Sequence, residues 1–106
     1  MNAENKSDLA PQFLGDMPTD EFSEAGQQLI EWINTYLQQI DRHSVLSGIK
    51  PGDIRKLLPT APPKSGEKIS DILGDLDKVI MPGMTHWNHP NFFAYFATSG
   101  SAAGIL

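Results

Sequence analysis

Three histidines, a Thr-Ser-Gly-Ser run and a dense aromatic stretch are the parts of this 106-residue chain whose side chains suit chemistry. His86 and His89 stand three apart, a spacing at which two imidazoles on one helical turn can share a metal ion. Pro90 follows directly and breaks such a turn. His43 is far away in sequence, no Asp or Glu offers itself nearby, and there is no Cys to supply a thiolate. The pair therefore reads as loop histidines held by hydrogen bonds, not as metal ligands. Thr98-Ser99-Gly100-Ser101 has neither the spacing of a nucleophile elbow nor an acid partner. Its Ser and Gly residues suit a helix N-terminus, with Ser99 or Ser101 as N-cap. Free N–H groups there can receive an anion, as they can at every helix start.

Phe92-Phe93-Ala94-Tyr95-Phe96 is the strongest local feature, and two readings of it stay open: ordinary core packing, or the lining of a pocket. Burying each ring is worth roughly 1.5–3 kcal/mol, so leaving such a cluster in water would forfeit on the order of 10 kcal/mol, as much as a small domain's whole stability. The rings must pack on something. All 21 charged residues lie between Glu4 and Lys78, and from Met81 to Leu106 there is no Asp, Glu, Lys or Arg. That uncharged tail holds five of the nine aromatics. Pro82, Asn88, Pro90 and Asn91 interrupt it, and the stretch after Phe92 is short and carries Thr98, Ser99 and Ser101. A membrane span is thereby excluded as the reading, and a membrane-surface helix lacks the basic face it needs.

The rest of the chain must position these residues. With 8 basic against 13 acidic side chains the formal charge is −5, and the basic residues are scattered singly, so nucleic acid is excluded as a partner. The absence of Cys removes a disulfide framework. Met1 to Ala10 carries Glu4, Lys6 and Asp8 and no apolar run, which reads as a cytoplasmic start. Residues 1–18 are a flexible lead-in. From Thr19, a plausible N-cap ahead of Asp20 and Glu21, the residues Phe22, Ala25, Leu29, Ile33, Tyr36, Leu37 and Ile40 recur at steps of three and four on one helical face, fading near Asp41 to Ser44.

A short helix is predicted from Pro51 to Leu58, begun by Pro51 and stopped by Pro59. Thr60 to Gly66 reads as an extended linker. Ile69, Ile72, Leu73, Leu76, Val79 and Ile80 define a further helix that ends at Pro82-Gly83, with Asp71, Asp75 and Lys78 on its solvated face. The chain is therefore mainly α: a lead-in over 1–18, a helical arm over 19–81, and an aromatic loop with the start of a next helix over 82–106. That last helix stops on Ile105 and Leu106 without a cap or a charge, as a cut chain would. Two good helices and one short one offer too little surface to cover the aromatic tail.

The run Val79-Ile80-Met81-Pro82-Gly83-Met84-Thr85-His86-Trp87, followed by His89-Pro90-Asn91-Phe92-Phe93-Ala94-Tyr95-Phe96 and Thr98-Ser99, resembles the N-terminal region of group II pyridoxal-phosphate-dependent decarboxylases, most closely those acting on aromatic L-amino acids. The likeness extends from about Asp20 to the end. It implies the helical N-terminal arm of a fold type I, α/β enzyme that works as a homodimer, with the arm reaching over the partner subunit and the aromatic loop feeding an active-site wall. Tyr95, Phe96 and Thr98 would then line the substrate side, with Thr98 offering its hydroxyl to the substrate ring or its polar substituent.

The implied substrate is a small-molecule amino acid, and an aromatic wall suits an aromatic one. The implied cofactor is pyridoxal phosphate, which takes up the electrons left when carbon dioxide departs. None of Lys6, Lys50, Lys56, Lys64, Lys68 or Lys78 sits in a setting like the family's cofactor lysine, so no catalytic or cofactor-binding residue is assigned, and the chain alone is expected to be inactive. Ala97 stands where these enzymes usually have Pro, and Gly100 where they tend to have a second Ser. The rival reading is a free-standing helical module that dimerises or binds through the Phe22 to Ile40 face, without catalysis. Such a module should be folded and capped, whereas a severed arm should aggregate through its aromatic tail.

Overall fold

The computed structural model describes residues 16–94 and 100–106. Helix α1 spans Thr19–Gln38, a single-turn 3₁₀ segment follows at Ile40–Arg42, α2 spans Asp53–Leu57, α3 spans Ile69–Asp75, and α4 spans Ala102–Ile105. Among the described residues there is no strand.

α1 begins one residue earlier than an N-cap at Thr19 requires. Pro18 is the N-cap, Thr19 is already helical, and no side chain caps the end. The Pro18 carbonyl accepts the first helical bond from Phe22 N–H at 3.0 Å, while Asp20 and Glu21 sit in the positively polarised first turn as expected. At the other end the helix tightens into 3₁₀ geometry at Ile40–Arg42, within the region where the apolar spacing fades.

The short helix is also displaced. Pro51 is not its first residue but the second position of a type II turn, in which Asp53 N–H donates to the Lys50 carbonyl at 3.1 Å and Gly52 takes φ +92°. Only glycine adopts that conformation without strain. The Asp53 carboxylate accepts from the Lys50 N–H at 2.8 Å and closes the turn. Helix α2 then runs Asp53–Leu57 and stops before Pro59. Thr60 to Gly66 forms no regular element and is exposed throughout.

The predicted Ile69 to Ile80 helix is one helical path with three pitches. Its first part is α3, its second, Leu76–Ile80, is a π-helical turn, and Met81–Gly83 is 3₁₀. Pro82 has no N–H to give the preceding turn, so an α ladder cannot run on through it. Asp71, Asp75 and Lys78 are exposed, as their face predicts. In α4 the cap is Ser101, whose Oγ accepts from Gly104 N–H at 3.0 Å; Ser99 lies outside the described residues.

α1 packs against α3, and α2 against the π turn. Gly83 lies under Ile54 and Ile49, close enough that a Cβ built there would meet their side chains at 3.0 and 3.1 Å. Yet no hydrophobic side chain among the described residues is fully buried. Phe22 and Phe93 remain 71% and 85% exposed, and Trp87 about half exposed. The radius of gyration is 18.5 Å, where a compact domain of about 100 residues has ~13 Å. The apolar face of α1 is real but unfilled, because the short helix α3 covers only part of it.

Candidate functional site

Among the described residues, the two side chains that are buried are both histidines. His86 is 3% exposed and His89 8%. His86 is brought to its place by the segment after Gly83: its N–H donates to the Val45 carbonyl at 3.1 Å, which lays this segment beside the stretch that follows α1. A tight turn then runs on, with His89 N–H on the His86 carbonyl at 3.1 Å and Phe92 N–H on the His89 carbonyl at 3.0 Å. The His89 ring is part of that turn, its Nδ1 accepting from Asn91 N–H at 3.0 Å. Both are loop histidines held by hydrogen bonds, as their spacing and Pro90 imply.

Helix α1 supplies the other half of the site. Trp32 and Tyr36 are four residues apart, so their rings stack along one face, with centroids 5.6 Å apart and planes within 7°. Trp32 Nε1–H donates to Asp77 Oδ1 at 2.8 Å and ties α1 to the π turn. The Tyr36 hydroxyl lies 2.8 Å from His86 Nδ1 and donates to Asn88 Oδ1 at 3.2 Å. One hydroxyl proton cannot serve both partners, so with Tyr36 donating to Asn88 the His86 Nδ1 carries a proton and donates to the tyrosine oxygen.

His43, remote from His86 in sequence, is adjacent in space: the ring centroids are 4.8 Å apart, and the Tyr36 ring covers both at about 5.5 Å. Burial first, then the neighbouring His43 and His89, pushes His86 below the ordinary histidine value of 6.5, so its ring is neutral at neutral pH. A cleft of about 360 Å³ opens beside the pair, with Arg42 and Asp77 on its walls.

This junction is a positioning device. It fixes the segment that leads directly into the aromatic run, of which Phe92 and Phe93 are described, the Phe92 ring lying 6.4 Å from that of Trp87. Tyr95, Phe96 and Thr98, the residues expected to line a substrate pocket, lie outside the described residues, as does Ala97. The junction itself escaped sequence reasoning, which placed Tyr36 among the apolar residues of α1 and left Trp32 and Asp77 unassigned. The i, i+4 spacing of Trp32 and Tyr36 was the available signal.

Among the described residues, no group of three or more His, Asp or Glu side chains is arranged to hold a metal ion. Nor do the described residues fit pyridoxal phosphate. Lys50, Lys56, Lys64, Lys68 and Lys78 are all exposed. Lys68, which lines a cleft between α1 and the start of α3, shares it with Glu21, Glu24 and Glu67, a setting of the wrong sign for a phosphate.

Residues 51–106 match the family model of the pyridoxal-dependent decarboxylase conserved domain. The chain belongs to the pyridoxal-dependent decarboxylase family. It is 40% identical over 90 residues to the aromatic-L-amino-acid decarboxylase of Cavia porcellus, a match that takes in 85% of this chain and 19% of that enzyme. It is 46% identical over 87 residues to the phenylacetaldehyde synthase of a Rosa hybrid cultivar, covering 82% of this chain and 17% of that protein. In three dimensions it is similar to Catharanthus roseus tryptophan decarboxylase in complex with L-tryptophan, with a TM-score of 0.77 and 35% identity over 84% of this chain and 19% of that one. The chain thus spans about a fifth of the length of the relatives it matches. No helix among the described residues is long and apolar enough to cross a membrane.

Proposed function

We propose that this chain serves as the N-terminal arm of a pyridoxal-phosphate-dependent amino-acid decarboxylase acting on aromatic L-amino acids. In this reading residues 19–81 are the arm that contacts a second subunit of a homodimer, and residues 82–106 carry the wall of the substrate pocket, with residues 1–18 as a lead-in. The observation that carries it is the exposed apolar surface: a folded chain without a buried hydrophobic side chain among its described residues needs a larger body to pack on. A family whose members are several times longer supplies one.

Tyr95 and Phe96 present rings to the substrate in this reading, and Thr98 its hydroxyl. The names of the relatives share an aromatic substrate or product and differ in whether they describe a decarboxylase or an aldehyde synthase, so the amine is the expected product and the aldehyde the outcome to be checked against it. The cofactor and its lysine belong to parts of the enzyme other than the described residues of this chain, so the chain alone is expected to be inactive and to take up no pyridoxal phosphate. The Tyr36–His86 junction gives this arm its role in catalysis: it sets where the pocket wall begins.

A chimera tests the proposal. Residues 1–106 replace the corresponding arm of Catharanthus roseus tryptophan decarboxylase, and carbon dioxide release from aromatic amino acids is measured with product analysis. A dimeric, cofactor-loaded chimera that releases carbon dioxide and forms the amine supports it. One that is dimeric and loaded but inert overturns it. The free-standing module is tested alongside by sedimentation and far-UV circular dichroism of the 106-residue chain with and without pyridoxal phosphate: a compact, cooperative species would favour the module, and a helical, self-associating one indifferent to the cofactor favours the arm.

A further inference from the structure

The junction between α1 and the segment after Gly83 is built around imidazole rings. Two imidazoles, His43 and His86, lie with their centroids 4.8 Å apart under one tyrosine ring, and a third, His89, is buried in the same turn. We propose that the His43–His86 contact beneath Tyr36 is a proton-operated latch, which holds the Met84 to Phe92 segment on α1 while His86 is neutral and releases it when His86 takes up a proton.

The groups facing His86 decide the direction. From α1 comes the Tyr36 hydroxyl at 2.8 Å, and from the residue just after the 3₁₀ segment the His43 ring. His89 closes the turn that His86 begins. Arg42 and Asp77 line the adjoining cleft, and Glu31 lines the cleft on the other side of Tyr36 and His43. Asp77 is the one carboxylate on the His86 side, and its Oδ1 already accepts from Trp32 at 2.8 Å. Among the described residues no carboxylate is hydrogen-bonded to either imidazole to stabilise a charge there, while burial and the other two histidines oppose it at His86.

Protonation does not break the Tyr36 bond, because a charged His86 still donates from Nδ1. What it does is place a cation at a site with 3% exposure, against the ring of a second imidazole. Leaving the junction restores water to both rings. The segment that would be freed leads into the aromatic run, so the proton state of this cluster sets how firmly that run is anchored to α1. The latch is a property of the chain's own residues and does not depend on which reaction the enzyme performs.

Nuclear magnetic resonance of the 106-residue chain from pH 8 to pH 5 tests it, following the histidine ring resonances and the ring-to-ring cross-peaks of Tyr36 with His86. The expected result is that His86 titrates below the ordinary histidine value and that the Tyr36–His86 cross-peaks disappear over the same pH range. In His43→Gln, which keeps a polar side chain but cannot be charged, the His86 midpoint moves upward and the cross-peaks persist to lower pH than in the parent chain. The proposal is overturned if His86 titrates at the ordinary value, if the cross-peaks are missing at pH 8, or if they survive unchanged after His86 is protonated. The titration of the unmodified chain decides the question even where the variant does not fold.

Discussion

Replacing Tyr36 by Phe removes one oxygen from the centre of the junction and leaves its ring in place. The stack on Trp32 at 5.6 Å and the covers over His43 and His86 are made by the ring and survive the change. What is lost is the hydroxyl that meets His86 Nδ1 at 2.8 Å and Asn88 Oδ1 at 3.2 Å. His86 is 3% exposed, so water cannot readily take the place of the hydroxyl. Leaving a buried polar atom without its partner costs about 1–3 kcal/mol, more than the ~0.5–1.5 kcal/mol net worth of an ordinary hydrogen bond. The change should therefore raise the population of the open junction roughly 5- to 150-fold.

The amide of His86 reports that opening, because its N–H is bonded to the Val45 carbonyl at 3.1 Å across the junction. Amide hydrogen exchange at neutral pH is the assay, with the His86 protection factor expected to fall by that ratio while amides in the middle of α1 change little. Tyr36→Leu, which also removes the ring, should lower it further. Protection at His86 within twofold of the parent chain in Tyr36→Phe would refute the reasoning, since it would mean that the hydroxyl contributes nothing to holding the segment.

Gly52→Ala places a side chain at φ +92°, where nothing lies within 4 Å, so the penalty is that of the backbone alone, about 1–2 kcal/mol; faster exchange of the Lys56 amide, bonded to the Gly52 carbonyl at 3.1 Å, is the readout. Gly83→Ala drives a Cβ to 3.0 Å from Ile54 and 3.1 Å from Ile49, and overpacking on the order of 1 kcal/mol should loosen α2 from the helical segment ahead of Gly83, measured by urea titration of the Ile54 methyl resonances. Because burial lowers His86, the unfolded chain takes up the proton first on acidification. The junction's stability is then full above about pH 6.5 and is lost as pH falls through that value toward the lower folded one, with no further loss below it; unfolding midpoints at pH 8 and pH 5 should differ in that sense. In the decarboxylase chimera, Thr98→Val should lower kcat/KM for hydroxylated aromatic substrates more than for unsubstituted ones, and equal loss for both would remove Thr98 from that role.

Much of the helical layout is legible from local physics. The steps of three and four from Phe22 to Ile40 give α1, and Pro59 ends α2, because periodicity and backbone chemistry act within a few residues. The same locality explains the errors. Thr19 has the side chain of an N-cap, yet Pro18, with its fixed φ and its carbonyl bonded to Phe22, already occupies that position. Pro51 suits a helix start equally well as the second position of a type II turn, and Gly52 after it favours the turn. The shift of the Ile69 to Ile80 segment into π and then 3₁₀ pitch leaves no trace in its apolar spacing, which stays within what a regular helix would show.

What the sequence determines by itself is composition and proximity along the chain: a helical arm, an uncharged aromatic tail, and histidines that Pro90 keeps from a shared helical turn. What only the tertiary structure decides is which remote groups meet. His43 and His86 are 43 positions apart, and nothing in their neighbours' types specifies the contact. It arises because the Trp32–Asp77 bond sets α1 against the π turn and the Val45 carbonyl receives the His86 amide, so that Tyr36 can close over both rings. Local preference sets each piece, and long-range hydrogen bonds, each worth little until the others are in place, fix their arrangement.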